Sequence, residues 1–144
     1  IDPQIVDDTI RYYKENNFDY VNNFFERTYP IGTEVEIFSF DVLEKCWKFA
    51  EKPSEKEHVT PFIYNHPEKF EIGYIKNSKN LSHLHWTVDR IEDFNFVKSI
   101  IEKIDSKPIL MKDILSLLEN EPSLLKINKN IDPFEGLKKS IKDD

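Results

Sequence analysis

The apolar residues of this chain follow two alternating periods, one typical of helices and the other typical of strands. Several segments carry an apolar side chain every three or four positions, as amphipathic helices do. They are residues 5–13, 40–50, 54–63, 94–104, 111–118 and 134–141. Others alternate polar with apolar residues or form short apolar runs, as strands do. They are residues 18–21, 34–38, 70–75 and 84–88. The alternation predicts an α/β fold, with a mixed sheet flanked by helices, rather than a bundle or a sandwich.

The predicted helices have recognisable ends. Asp2 and Pro3 suit the N-cap and the first turn of a helix that ends near residue 16. The helix that begins at residue 40 stops before Pro53. Ser54 and Glu57 stand three apart, as in a capping box, and are expected to cap the next helix. The aromatic side chains of the same region are expected in the core; they are Phe24, Phe25, Phe38, Phe40 and Trp47.

Composition excludes several classes of protein. The chain has 27 acidic and 20 basic residues and a formal net charge of −7 at pH 7, which argues against non-specific binding of nucleic acid or anionic membranes. Its 144 residues, 39% of them apolar, suit one domain with a core and not a disordered chain. It has neither a membrane-length apolar stretch nor a signal peptide, and the single Cys46 cannot form an intramolecular disulfide. We therefore expect a soluble protein of the reducing cytoplasm.

Glycine is scarce in this chain. Its three glycines are Gly32, Gly73 and Gly136, against an average usage of about 7%. They stand too far apart to form either GxGxxG or GxxxxGK[ST], so no glycine loop of these kinds is present to bind phosphate. The chain also opens on Ile1 and has its only methionine at Met111. We therefore expect it to be a fragment of a longer protein.

Asp89 is the first candidate functional residue. It follows the predicted strand of residues 84–88, and open α/β sheets bind ligands beyond the carboxyl ends of their strands. A carboxylate in that position suits Mg²⁺, which usually takes one or two carboxylates and completes its shell with water and phosphate oxygens. The alternative is that Asp89 caps the following helix.

Two pairs of neighbouring polar residues are further candidates. His83 and His85 lie two apart on a predicted strand and would point to one face, as a zinc-binding pair does, although no third ligand stands at a suitable spacing. The alternative is that they form ordinary hydrogen bonds. Glu57 and His58 are expected near the start of a helix, where the helix dipole favours an anionic sugar or phosphate. A capping role is the alternative for this pair.

Arg27 and Glu36 complete the candidates. Arg27 precedes Pro30 and Gly32 in a predicted loop, where it could line the mouth of a pocket or be an ordinary loop residue. Glu36 belongs to the predicted strand of residues 34–38, and its alternative is a place on a solvated face.

Three stretches of the sequence together carry a family resemblance. They read RTYPIGTEVEIFSF at residues 27–40, EHVTPFI at residues 57–63 and LSHLHWTVD at residues 81–89, and the last is followed by EDF at residues 92–94. They resemble the C-terminal half of SpsF-type cytidylyltransferases, which act in spore coat polysaccharide biosynthesis and belong to the acylneuraminate and CMP-KDO cytidylyltransferase family. The resemblance implies that residues 1–130 are the C-terminal half of a Rossmann-like (GT-A-like) nucleotidyltransferase domain. Residues 131–144 are then a charged helical tail.

The resemblance also implies an activity. Members of this family transfer CMP from CTP to an acidic or activated sugar and release pyrophosphate, with Mg²⁺ as the cofactor. Asp89 matches one of the two metal-binding carboxylates, whereas the other, together with the triphosphate-binding loop, would precede Ile1. The chain alone is therefore expected to be inactive. Glu36, and the pair Glu57 and His58, stand on family motifs and are implied to line the sugar side. Arg27 lies in the first of the three stretches and is a substrate-binding candidate.

His85 is a departure from the family pattern. It stands where arginine is common in the family, which puts a fixed positive charge there in doubt and leaves His85 as a substrate-binding candidate. Two other functions remain open. One is a non-catalytic, acidic α/β interaction domain, which shares its ancestry with the family but not its activity. The other is a zinc hydrolase that uses His83, His85 and Asp89. A homodimer also remains open.

Overall fold

The computed structural model describes residues 2–131, and the predicted tail helix around residues 134–141 lies outside them. The helices are α1 (Pro3–Glu15), α2 (Phe40–Phe49), α3 (Pro53–His58), α4 (Pro61–Asn65), α5 (Ile91–Lys103) and α6 (Met111–Asn120). The strands are β1 (Tyr20–Asn22), β2 (Glu36–Phe38) and β3 (Ile72–Tyr74). Short 3₁₀ helices follow α4 and α6, at Pro67–Lys69 and Pro122–Lys126. The predicted α/β class, a small mixed sheet flanked by helices, is confirmed.

The sheet has the order β2-β1-β3. β1 pairs with β2 in the antiparallel sense and with β3 in the parallel sense. Asn22, at the carboxyl end of β1, is opposite Glu36 in β2 and Tyr74 in β3. Since paired residues share a face of a sheet, Asn22 and Glu36 lie on the same face, together with Tyr20 two residues earlier.

Two clusters of buried apolar side chains form the core. The first lies between the sheet and helices α2 and α4; its buried members are Tyr20, Val42, Cys46, Phe62, Ile63 and Phe70. The second joins α5, α6 and the 3₁₀ helix after α6; its buried members are Phe96, Ile100, Leu118 and Leu124. Trp86 packs against the second cluster, so this cluster supports the segment that leads to Asp89.

A long-range hydrogen bond joins α1 and α6, the first and last α-helices of the described part. Asp2 is the N-cap of α1, where its Oδ1 accepts from the amide of Gln4 at 2.9 Å. Its Oδ2 accepts from the amide of Met111, the first residue of α6, at 2.8 Å. One carboxylate therefore binds the amino-terminal ends of two helices.

The prediction of a strand at residues 84–88 is wrong. This segment forms a single parallel bridge, between Ile31 and His85. The amide of Ile31 donates to Leu84 O at 2.9 Å, and the amide of Trp86 donates to Ile31 O at 2.7 Å. The partner is the loop before β2, which pairs at Ile31 alone. Asp89 consequently follows an extended segment and not a strand.

The prediction that all five aromatic residues lie in the core is also wrong. Phe40 and Trp47 in α2 are 76% and 78% exposed. The helix turns Val42 and Cys46, four residues apart, towards the sheet instead. Phe40 and Trp47 therefore lie on the outer face of the helix, since Val42 and Cys46 are the residues that it buries.

The single helix predicted for residues 54–63 is two short helices. Val59 between them has a positive φ of 67°, and Pro61 begins the second helix. The prediction that Ser54 and Glu57 cap this helix is wrong too, because Glu55 is the residue that caps the start of α3. Its Oε2 accepts from the amides of Glu51 and Lys52, at 3.2 and 3.5 Å.

Glu55 has further partners that favour its charged form. It is 4% exposed, and Asn65 Nδ2 donates to its Oε1 at 3.1 Å. Burial by itself raises the pKa of Glu55, but the hydrogen bonds from Asn65 and the two amides, with the nearby His66, bring that pKa below its usual range.

Replacing Glu55 with glutamine is expected to lower the free energy of unfolding by about 1–2 kcal/mol at pH 7, because the charge-assisted bonds are lost. In the wild type this contribution is complete above the ordinary pKa of 4.5 and disappears as the pH falls through the lower folded value. Urea denaturation from pH 7 to about pH 3 measures both effects. Glu57→Gln, at an exposed neighbour, is the control; an equal loss in both variants would contradict the role of Glu55.

Candidate functional site

His85, Asp89 and Asp93 form a cluster between the extended segment and helix α5. One potential ligand atom from each residue lies within 4.8 Å of the others. His85 comes from the bridged segment, Asp89 from the bend after it, and Asp93 from the first turn of α5. The three residues are spaced four apart in the sequence. The bend after the extended segment and the first turn of α5 bring their side chains together.

Asp93 organises this cluster from within the protein. It is fully buried. Its Oδ2 accepts from the amides of Asp89 and Arg90, at 3.2 and 3.1 Å, and its Oδ1 accepts from Asn128 Nδ2 at 2.9 Å. Asp93 is therefore the carboxylate that binds the free amides at the start of α5. In the sequence Asp93 stands out only within the EDF of the family resemblance, and its contact with His85 was not predicted.

Asp89 is exposed, in contrast to Asp93. Its backbone amide is held by Asp93, which fixes the position of the residue without using its side chain. The carboxylate of Asp89 thus faces solvent beside a buried, charged neighbour. This arrangement suits a residue that contacts a soluble ligand or a cation.

The two histidines do not act as a pair. His85 joins the cluster, with its Nδ1 3.8 Å from Asp93 Oδ1. His83 is exposed and lies outside the cluster. The alternative of a zinc site that uses His83, His85 and Asp89 together is therefore not supported, because residues 82–83 form a turn and not a strand with two regular faces.

A second polar group lies at the carboxyl end of β1. The hydroxyl of Tyr20 donates to Glu36 Oε1. Burial, and then the charge of Glu36, raise the pKa of both Tyr20 and Tyr64, so both hydroxyls stay protonated as donors. The side chain of Thr60 interacts with the same two hydroxyls. This group combines one acceptor, Glu36, with several hydroxyl donors.

Asn22 lies next to this group and has an unused donor. Its Oδ1 accepts from the amides of Phe24 and Phe25, each at 2.9 Å. Its Nδ2 is buried and has no hydrogen-bond partner among the described residues. A buried amide nitrogen without a partner is costly, so a ligand oxygen at this point would be stabilising. Asn22 was not among the site residues predicted from the sequence.

Glu57 and His58 lie at the end of α3, and not at the start of a helix as predicted. The dipole argument for an anion at this pair is therefore wrong, since the carboxyl end of a helix favours cations. Glu57 is exposed, and its Oε2 is 3.8 Å from His58 Nε2, which is buried without a hydrogen-bond partner in the part of the chain that is described. Thr60 follows two residues later and connects this pair to the Tyr20 group.

Arg27 is engaged within its own loop. Its guanidinium forms an ion pair with Glu34 and lies 5.8 Å from the centre of the Phe24 ring. Glu34 Oε2 also accepts from the amide of Gly32 at 2.8 Å. The ion pair joins two residues of the loop before β2, and both side chains are only partly exposed.

Gly32 brings this loop against the segment that leads to Asp89. Its φ is +95°, and a Cβ added there would lie 2.6 Å from the amide nitrogen of Thr87 and 2.7 Å from the carbonyl carbon of Trp86. Only glycine allows the two backbones to approach so closely.

The comparisons with known proteins support the family resemblance. No family model matches the chain. A cytidylyltransferase structure from Leptospira borgpetersenii serovar Hardjo-bovis superposes with a TM-score of 0.83 and 30% identity, over 92% of this chain and 55% of that chain. The resemblance to the cytidylyltransferase family is confirmed. The structure of the described part is accordingly that of a nucleotidyltransferase fold.

Two curated proteins are also similar to this cytidylyltransferase-like chain. An uncharacterized protein of Methanocaldococcus jannaschii is 32% identical over 130 residues, which is 89% of this chain and 52% of that protein. The spore coat polysaccharide biosynthesis protein SpsF of Bacillus subtilis is 23% identical over 126 residues, which is 85% of this chain and 51% of that protein. The chain thus spans about half the length of the curated relatives it matches. None of the helices in the described part is long and apolar enough to cross a membrane.

Proposed function

We propose that this chain is the sugar-binding and metal-completing part of a cytidylyltransferase. The whole enzyme transfers CMP from CTP to an acidic sugar or a sugar phosphate and releases pyrophosphate, in the cytoplasm and for a surface or spore polysaccharide. The observation that carries the proposal is the exposed carboxylate of Asp89, beside His85 and on a backbone held by Asp93, in a chain with the fold of a cytidylyltransferase.

Asp89 is the proposed Mg²⁺ ligand. A single free carboxylate fits this ion, which takes one or two carboxylates and obtains its other ligands from water and phosphates. The bound cation would offset the negative charge that develops on the reacting phosphate. Asp93 holds the backbone of Asp89 and Arg90, so the backbone that carries the Asp89 carboxylate is positioned before any ligand arrives.

The sugar is proposed to bind at the carboxyl end of β1. Glu36 accepts hydrogen bonds from sugar hydroxyls there, and Asn22 Nδ2 donates to a sugar oxygen, which supplies its missing partner. Glu57 and His58 border this region through Thr60. Arg27 keeps the loop before β2 closed over it.

The chain by itself is expected to be inactive. It has three widely spaced glycines and hence no glycine loop of the kinds that bind a triphosphate. Without such a loop CTP is not oriented for attack, and orientation supplies a large share of the rate. The remaining groups for CTP therefore belong to the other part of the proposed enzyme.

A pyrophosphate-release assay tests the proposal. The protein that contains this chain is incubated with CTP, MgCl₂ and a panel of acidic sugars and sugar phosphates. We expect a CMP-sugar from at least one of them. Glu36→Gln should raise KM for that sugar by about 10-fold, the loss of roughly one hydrogen bond to a charged group, and leave KM for CTP unchanged.

Two results would contradict the proposal. Absence of any CMP-sugar, with a well-folded protein, favours the non-catalytic interaction domain. An unchanged KM for the sugar in Glu36→Gln would show that the sugar does not bind at the carboxyl end of β1. The family resemblance leaves open whether the protein is a homodimer. Gel filtration of the same protein tests this.

A further inference from the structure

The two ring nitrogens of His85 have unequal surroundings. Nε2 is in hydrogen-bond contact with Thr87 Oγ1. Nδ1 is buried and has no hydrogen-bond partner among the residues that the structure describes. When Nε2 carries the proton and donates it to Thr87, Nδ1 retains a lone pair. A histidine that binds a metal has this arrangement, because its second ring nitrogen donates to a neighbouring acceptor.

The lone pair on Nδ1 faces carboxylate oxygens. Asp93 Oδ1 is 3.8 Å away, and Asp89 completes a set of ligand atoms within 4.8 Å of one another. Two ligands at about 2.0–2.2 Å from a tetrahedral zinc ion are roughly 3.4 Å apart, so a closure of about 0.4 Å would suit both. A cation between these atoms would supply the missing partner of Nδ1 and offset the charge on both carboxylates.

The surrounding structure holds the proposed ligands in place. Asn128 Nδ2 donates to Asp93 Oδ1 at 2.9 Å and to the carbonyl oxygen of His85 at 3.1 Å, and Asn128 is itself buried. The bridge between Ile31 and His85 fixes the backbone of His85 on its other side. The side chains of a metal site need this kind of support to keep their orientation.

We infer that His85 binds the cation directly through Nδ1, and that the site therefore binds Zn²⁺ and Mn²⁺ more tightly than Mg²⁺. The inference rests on the proposed function in one respect, because it places the cation at Asp89. Its new element is the nitrogen ligand. Imidazole suits zinc and the transition metals, whereas Mg²⁺ favours shells made of oxygen alone, and the affinities of mixed nitrogen and oxygen sites follow this order.

Calorimetric titration of the purified protein with ZnCl₂, MnCl₂ or MgCl₂, without nucleotide, tests the inference. We expect Zn²⁺ to bind at least about 100-fold more tightly than Mg²⁺. His85→Ala should weaken Zn²⁺ binding by at least about 10-fold and hardly change Mg²⁺ binding. His83→Ala, which alters an exposed histidine outside the cluster, is the matched control. The inference is overturned when both variants lose the same affinity for Zn²⁺, or when His85→Ala loses none.

A spectroscopic test needs no variant and covers the case in which His85→Ala fails to fold. The chain has four histidines, so long-range ¹H–¹⁵N spectra resolve each ring. One equivalent of ZnCl₂ should shift Nδ1 of His85 and leave its Nε2 protonated. Shifts confined to His58, His66 or His83 would overturn the inference. Neither test measures CMP transfer, so zinc at His85 without transfer would defeat the proposed function alone, and transfer without zinc at His85 would defeat only this inference.

Discussion

Asp89→Asn, in the protein that contains this chain, is expected to lower kcat for CMP transfer by at least about 100-fold, because a metal ligand supplies several kcal/mol of stabilisation to the reacting phosphate. Folding should hardly change. The carboxylate is exposed, and the residue is held through its backbone amide, which asparagine keeps. A surface substitution of this kind alters the free energy of unfolding by less than about 0.5 kcal/mol.

Glu92→Gln is the matched control for Asp89→Asn. Glu92 is another exposed acid, in the first turn of α5, and it lies outside the cluster of ligand atoms. The control should keep the wild-type kcat, since the substitution removes the same charge three residues away. Initial rates of pyrophosphate release, with urea denaturation of each variant, give both quantities. Turnover of Asp89→Asn within a factor of about 3 of the wild type would remove Asp89 from the reaction.

Gly32→Ala is expected to have the largest effect on stability, a loss of roughly 3 kcal/mol or more in the free energy of unfolding. The added Cβ would lie 2.6 Å from Thr87 N and 2.7 Å from the carbonyl carbon of Trp86, and backbone atoms cannot rotate away. Alanine also pays about 1–2 kcal/mol to adopt a positive φ. Any relief must separate the loop of Gly32 from residues 86–87, which are next to His85.

Gly73→Ala separates this backbone clash from the general cost of replacing a glycine. A Cβ on Gly73 would meet the ring of Phe18 at 2.7 to 2.9 Å, and that ring can turn aside. We expect a loss of about 1–2 kcal/mol, the usual cost of overpacking. Thermal and urea denaturation of the two variants provide the comparison. Equal losses in the free energy of unfolding would show that the backbones of the Gly32 loop and the Trp86 segment can move apart at little cost, against the expectation.

The sequence predicted the helices well and the strands less well, for a physical reason. Helices α1, α2, α5 and α6 have local signals in their spacing, caps and prolines, and these signals need no knowledge of the rest of the fold. Residues 84–88 have the alternation of a strand, but a ladder needs a partner, and the described partner is a loop that offers one bridge. The sequence pattern cannot tell how long a pairing partner will be.

The candidate site shows the same division between local and long-range information. Asp89 was found because it ends a motif. Asp93 escaped notice because it reads as an ordinary helix start, and its contacts come from His85, eight residues before it, and from Asn128, 35 residues after it. Glu57 and His58 were placed on the wrong end of a helix, since α3 has only six residues and ends at His58, before the positive φ of Val59. The metal ligation and the sugar contacts stay predictions.

The double use of Asp2 sets an order on folding. Its bond to Met111 spans 109 residues of chain. The entropy lost in closing a loop grows with the logarithm of its length, and contacts between distant residues slow folding. Helix α1 can form early, because Asp2 caps it locally, but it is tied to α6 only after the intervening sheet and helices have collapsed. Helix α1 is therefore synthesised before α6, but its hydrogen bond to α6 forms late in folding.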